Sequence, residues 1–292
     1  RKRNSIQTRR LKNNVLKNHR DGIYLEFTRD RTGSEKEWLY MLRFSIPGGG
    51  PLNREQWRIF DEVSEKHTTN QDGKPSLRLT TRQNIQFHWV RKKSIREIIQ
   101  RVAESRFYTL NGCGDNTRNV MGCPLARVSP VFNGNELAQK FGRYFRLPIE
   151  PHLRIFGINP NLERTPDEHF QYGPGLLNRK FKIGISGFVL DGATGRYVPD
   201  NCVELRTDDI GVAPILDGNK VERFQVYVGG GQGERNGKIS FCALGVPFGI
   251  FPEKHLLAGL DAIVQVHQEW GDRQNRFWAR VKYVVRAKGV EW

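Results

Sequence analysis

Residues 76–90, SLRLTTRQNIQFHWV, alternate with the period of a β-strand. That reading puts Arg78, Thr80, Arg82, Asn84, Gln86 and His88 on one face, and Leu77, Leu79, Ile85, Phe87 and Trp89 mostly on the other. Upstream, EWLYMLRFSIPGGG (37–50) predicts a strand running into a glycine-rich turn. LNREQWRIFDEVSEKH (52–67) follows with Asn53 as a helix N-cap and Trp57, Ile59, Phe60 and Val63 at helical spacing. The polar loop TTNQDGKP leads into the donor-rich strand, and SIREIIQRVAESR (94–106) predicts a second helix.

The same order recurs near the C-terminus. ISFCALGVPFGIF predicts a strand and glycine turn, EKHLLAGLDAIVQVHQEWG a helix, and RFWARVKYVVRAKG a basic strand. Few identities are shared, but order and spacing make an internal pseudo-repeat, and two such half-units complete one α+β domain. The expected division is a basic arm over 1–35, a first half-unit over 36–108, a glycine-rich middle domain over 109–235 and a second half-unit over 236–292. The middle domain holds GCGDNTRNVMGCP, the helix candidate NELAQKFGRYFR, and the strand candidates NRKFKIGISGF, NCVELRTDDIGVAPI and RFQVYVGGGQG.

Charge narrows the class of partner. In 292 residues, 47 Lys and Arg stand against 31 Asp and Glu, a net charge of +16 that favours an anionic partner. Nucleic acid, an acidic protein and a polyanionic small molecule all remain open on charge alone. No apolar run approaches the ~20 residues of a membrane span, so a soluble protein is expected. Residues 1–20 hold eight Lys and Arg and no acid, and the chain has neither an initiator methionine nor a signal-peptide core. The four cysteines, Cys113, Cys123, Cys202 and Cys242, form no CxxC pair, which argues against a disulfide framework or zinc ribbon and for reduced, cytoplasmic thiols. No metal ligands are expected among them.

Forked donors on one strand face suit a large oxygen-rich anion, because guanidinium meets carboxylate or phosphate in bidentate fashion. Arg43 beside PGGG, Arg118 in TRNV, and Lys180 and Lys182 flanking Phe181 in NRKFK extend that set. Two lysines one strand repeat apart are costly unless an anion bridges them. VGGGQG (228–233) offers backbone N–H groups to an anion, but no helix of the right pattern follows it, so it is not a dinucleotide fingerprint.

Six ordered segments, MLRFSIPGGG, RLTTRQNIQFH, GDNTRNVMGCPLA, NRKFKIGISG, FQVYVGGGQG and LGVPFGIFPEKHLLAGLDAIVQVHQEWGDRQNR, resemble the siroheme-dependent nitrite and sulfite reductases over residues 22–292, the N-terminal half of an assimilatory sulfite reductase haemoprotein. The resemblance implies an α+β fold of two ferredoxin-like half-domains pairing together, with a mixed α/β siroheme-binding domain between them. It implies that Arg43, Arg118, Lys180 and Lys182 face the substrate, and that Arg78, Thr80, Arg82, Gln86, His88, Asn119, Gly229, Gly230, Gly231 and Arg276 hold siroheme. It further implies six-electron reduction of sulfite to sulfide, or of nitrite to ammonia, with electrons from ferredoxin or a flavoprotein reductase. Membrane association is not expected. A basic ferredoxin-like nucleic-acid binder is the remote alternative. The family's 4Fe-4S cluster uses two closely spaced cysteine pairs that this chain does not match, so the cluster is expected from a C-terminal half lying outside these residues. Trp278 also stands where a smaller polar residue is expected.

Overall fold

A computed structural model describes residues 22–27, 34, 37–70, 72–147, 169–235 and 238–292. Residues 1–20 of the expected basic arm lie outside the described residues.

Strands β1 (Ile23–Phe27), β2 (Trp38–Phe44), β3 (Arg78–Leu79) and β4 (Ile85–Val90) form an antiparallel sheet in the order β1-β2-β4-β3. Helices α1 (Arg54–His67) and α2 (Ile95–Ala103) cover one face. Helix α1 starts where Asn53 accepts from the Gln56 amide while the Gln56 side chain accepts from the Asn53 amide, a reciprocal capping box. Leu42, Phe44, Ile85 and Phe87 meet Phe60, Val63, Ile98 and Val102 in a buried core, with Phe44 edge-on to Phe60 and Phe87 at 5.9 and 5.8 Å. Alternation then aims Arg43 and Gln86, which are register partners, at the opposite face.

The donor-rich segment is not one strand. Its chain turns back over Thr80–Asn84, where Thr80 N–H donates to Asn84 carbonyl (2.9 Å) and Gln83 has a positive φ of 54°. Thr80 Oγ1 accepts from the amides of Arg82 and Asn84, so this polar side chain serves the turn. Trp89, with φ 59°, shifts the register so that Val90 takes the core position expected of Trp89.

A second, mixed sheet comprises β5 (Met121–Gly122), β6 (Ile183–Ile185), β9 (Ile210–Asp217), β10 (Lys220–Val228) and β13 (Val246–Pro252), ordered β13-β10-β9-β6-β5. Between these in sequence lie two short hairpins, β7 (Phe188–Leu190) with β8 (Tyr197–Pro199), and β11 (Glu234–Arg235) with β12 (Lys238–Ile239). Strands β5, β6 and β9 are mutually parallel, whereas β9, β10 and β13 are antiparallel. Helices α3 (Gly134–Tyr144), α4 (Glu253–Trp270) and α5 (Val281–Lys288) pack on this sheet, burying Phe141, Phe181, Phe224, Leu260 and Val264 among others.

The C-terminal segment is therefore not a second ferredoxin-like half. Its strand β13 is the edge of the five-stranded sheet, and its expected basic strand is helical from Val281. Alternation in RVKYVV suggests a strand, but Val281 and Val285, one helical turn apart, both reach the core of the second sheet. Tertiary burial outweighs the local β preference there.

The two sheets are joined at Asn119. Its Oδ1 accepts from Ser45 Oγ (2.9 Å), and its amide donates to the carbonyls of Ile46 (2.7 Å) and Arg82 (3.0 Å). Gly142 allows α3 to lie against Pro47, since a Cβ there would come within 2.7 Å of the proline ring.

Candidate anion site

Strands β5, β6 and β9 run parallel, so their N-terminal ends share one end of the sheet, and each is preceded by charged or polar residues. Arg118 and Asn119 precede β5, Lys180 and Lys182 precede β6, and Asp208 and Asp209 precede β9. Arg118 N–H donates to Phe181 carbonyl (2.7 Å) and Phe181 N–H to Asn116 carbonyl (3.0 Å), holding the first two segments side by side. Phe181 is fully buried against the His267 ring at 5.1 Å, which turns Lys180 and Lys182 the other way.

Arg43 reaches the same region from β2. Its guanidinium touches Cys113 Sγ, packs on the Tyr24 ring at 5.8 Å, and donates to the Gln86 amide oxygen in the orientation set by the hydrogen-bond network. Burial, with help from Cys113, pushes the Tyr24 hydroxyl above its ordinary range, although both Arg118 and Arg43 oppose the shift. Both guanidiniums therefore act on one phenol.

Burial pushes the Lys180 ammonium down to about 8, and Arg118, Arg280, Lys182 and Arg179 push the same way. Lys182 is also lowered, by burial first and then by Arg82 and Arg280, against opposition from Asp208 and Asp209. Among the described residues, no carboxylate lies within ion-pair distance of Arg43, Arg118, Arg179, Lys180 or Lys182.

Neighbouring arginines are treated differently. Arg82 crosses from the first sheet to bind Asp208 (3.0 and 3.2 Å) and Ile183 carbonyl (2.8 Å), leaving its buried Nε without a partner. Arg280 forms a buried bidentate pair with Asp209 (3.1 and 2.7 Å), and Asp209 also accepts from the Lys182 amide (2.9 Å). Arg276 is paired bidentately with Asp115 (2.6 and 2.7 Å). Three arginines are thus fixed by acids while five cations around them are not.

The remaining sequence candidates fall around this cluster unevenly. His88 approaches Glu26 at 3.4 Å, Arg78 is exposed on β3, and the Asn119 amide is spent between the sheets. Gly229 and Gly231 donate to the carbonyls of Asp209 and Ala243, and the carbonyls of Gly230 and Gly231 accept from Arg280 and Lys282. Arg179, Asp115, Asp208, Asp209, Arg280, Lys282 and Tyr24 were not among the sequence candidates. Only the adjacent acids of RTDDIG carried a signal, as two carboxylates immediately before an apolar strand in a strongly basic chain.

A family model described as the nitrite and sulphite reductase 4Fe-4S domain matches residues 113–292, and one described as the nitrite/sulfite reductase ferredoxin-like half domain matches residues 33–105. The sulfite reductase (NADPH) hemoprotein beta-component of Staphylococcus saprophyticus is 31% identical over 288 residues, covering 95% of this chain and 48% of that protein. The sulfite reductase (ferredoxin) of Synechococcus elongatus is 32% identical over 301 residues, covering 94% of this chain and 45% of that protein. The chain spans about half the length of the curated relatives it matches. Among solved structures, the Mycobacterium tuberculosis NirA protein aligns with a TM-score of 0.68 at 20% identity, over 94% of this chain and 44% of that one. Dissimilatory sulfite reductase I aligns with a TM-score of 0.61 at 10% identity, over 93% of this chain and 72% of that one. At such identities these two likenesses concern the fold alone.

Proposed function

The chain belongs to the nitrite and sulphite reductase family, and from that membership we propose that it supplies the anion-binding face of a siroheme-dependent enzyme reducing sulfite to sulfide. The observation carrying this reading is the convergence of Arg43, Arg118, Lys180 and Lys182 without a carboxylate partner among the described residues. Unpaired cations at this density are costly unless an anion completes them.

Siroheme, a polycarboxylate macrocycle, fits the donors here. Besides the free cations, Arg82 Nε is buried with no partner. Arg78, Thr80, Arg82, Gln86 and His88 are proposed for its carboxylates and rim, whereas Asn119, Arg276, Gly229 and Gly231 already spend their donors within the protein and Gly230 packs against the Arg206 and Asp208 carbonyls, so these five are not proposed for it. When bound, siroheme supplies the iron through which electrons reach the oxyanion. The described cysteines do not fit a 4Fe-4S cluster: the ligand-bearing group that converges holds only Cys123 and Cys202, with Asp200. The 4Fe-4S family model covers residues 113–292, so the domain itself is present here, and only the cluster ligands are proposed to come from outside these 292 residues.

The chain's own groups divide the work. Arg43, Arg118 and Lys182 hold the dianion, each unit-charge pair at about 4 Å being worth on the order of 4 kcal/mol at an effective dielectric near 20. Arginine hardly titrates, whereas Lys180, pushed down to about 8, holds a proton it can release near neutral pH as oxygen leaves as water. The proposed donor is an acidic ferredoxin or flavoprotein, drawn by the +16 charge.

Sulfite is preferred to nitrite because a second lysine suits a dianion better than a monoanion. In the intact enzyme, Lys182→Asn is expected to lower kcat/KM for sulfite roughly tenfold or more, and for nitrite by less. Equal losses on both substrates would contradict the assignment.

A further inference from the structure

The opposite ends of the same parallel strands carry a second cluster. Cys123 follows β5 and Gly187 follows β6, while Asp200 and Cys202 lie in the turn after β8. Cys123 Sγ, an Asp200 carboxylate oxygen and Cys202 Sγ all lie within 4.8 Å of one another. Cys123 is far in sequence from Asp200 and Cys202, so cysteine spacing gives no hint of the cluster.

Its carboxylate is oriented before any ligand arrives. Asp200 Oδ2 accepts from the Gly187 amide (3.0 Å) and Oδ1 from the Cys202 amide (2.8 Å), leaving each oxygen a further lone pair. Gly187 favours this approach, since a Cβ there would lie tightly against Asp200 Oδ2 at 3.0 Å and Cys123 Cβ at 3.2 Å. Cys123 is anchored by its own amide on Ile185 carbonyl (3.1 Å) and is fully buried, whereas Cys202 is exposed and gives an ion a way in.

We propose that Cys123, Asp200 and Cys202 form a site for one soft divalent cation of the zinc class, with the fourth position open to solvent on the Cys202 side. Two thiolates select zinc or cadmium over the hard cations magnesium and calcium. A tetrahedral zinc with Zn–S near 2.3 Å needs its sulfurs about 3.8 Å apart, so the ligands close by about 1 Å at most, and the exposed turn carrying Cys202 makes that movement. Hydrogen-bonded support of the carboxylate is the arrangement that tunes metal sites.

Burial pushes the Cys123 thiol up to about 12 and also raises Cys202, with Asp200 as the next cause for both. Both thiols are therefore protonated in the empty site, and uptake releases two protons and tightens as pH rises. The bound ion would tie the hairpin turn to β5 and β6, the two strands whose other ends present Arg118, Lys180 and Lys182.

The test uses the intact protein that carries this chain, purified with reductant and without chelator and titrated with cadmium. A cadmium–thiolate charge-transfer band saturating at one equivalent and reversed by zinc is expected. Cys202→Ser and Asp200→Asn should each weaken cadmium binding at least about tenfold while leaving circular dichroism unchanged. Absence of the band in the unmodified protein overturns the proposal. So does an equal band and affinity in Cys202→Ser, which would place the cadmium on other thiols.

Discussion

Lys180 keeps its charge at a cost in the ligand-free protein, and the sign of that cost gives a test free of turnover. Its folded value near 8 lies below the ordinary 10.5, so between those pH values the unfolded chain holds a proton that the folded chain has lost. Stability therefore rises with pH across that window, and the penalty is fully present below it. The difference corresponds to about 3 kcal/mol as an upper figure. Lys180→Met is expected to stabilise the ligand-free protein at pH 7 by on the order of 1–3 kcal/mol, a gain that fades toward pH 10.5. Denaturant unfolding across pH measures it, and a variant less stable than the parent at pH 7 would show that Lys180 has an acid partner after all. On the proposed role of Lys180 as proton donor, the same change in the loaded enzyme is expected to lower activity while stability improves.

At the scale of elements, the buried pair between Arg280 and Asp209 links the start of α5 to the start of β9. Asp209→Asn leaves a buried guanidinium without its counter-charge and should cost about 3–5 kcal/mol. Asn119→Ala removes several of the bonds that join the first sheet to the second, leaving buried groups unsatisfied, with an expected loss of about 2–3 kcal/mol. Thermal unfolding checks both, and losses under about 0.5 kcal/mol would mean that water replaces these partners. These contacts also show what was legible in the sequence. Asn53, Trp57, Ile59, Phe60 and Val63 announce α1 because a cap and a helical period are local signals. The cations Arg43, Arg118, Lys180 and Lys182 were legible as types, yet their convergence was carried by motif order rather than by periodicity. Arg280 and Asp209 were not, because bidentate pairing across distant segments leaves no spacing rule. Residues 281–288 misled for a related reason: Val281 and Val285 answer to a core whose other walls are remote in sequence.

At the scale of the molecule, an apolar face is left uncovered among the described residues. Val246, Phe248 and Ile250 on the edge strand β13 are exposed, as are Trp270 and Trp292 beside them, and a cavity of about 480 Å³ opens between β13, α4 and α5. Such a patch on an edge strand favours association. These 292 residues expressed alone should bind a hydrophobic dye and self-associate in sedimentation, whereas a monodisperse, dye-silent preparation would count against a partner surface here. The net charge predicts in addition that turnover with an acidic electron donor falls as salt is raised. The central claim, that Arg43, Arg118, Lys180 and Lys182 form one oxyanion site, is tested most directly by titrating sulfite into the intact siroheme-loaded protein and following the siroheme absorption. Arg118→Leu and Lys180→Met, at siroheme content equal to the parent, are predicted to raise the sulfite Kd at least about tenfold. An unchanged Kd in both variants would contradict the account.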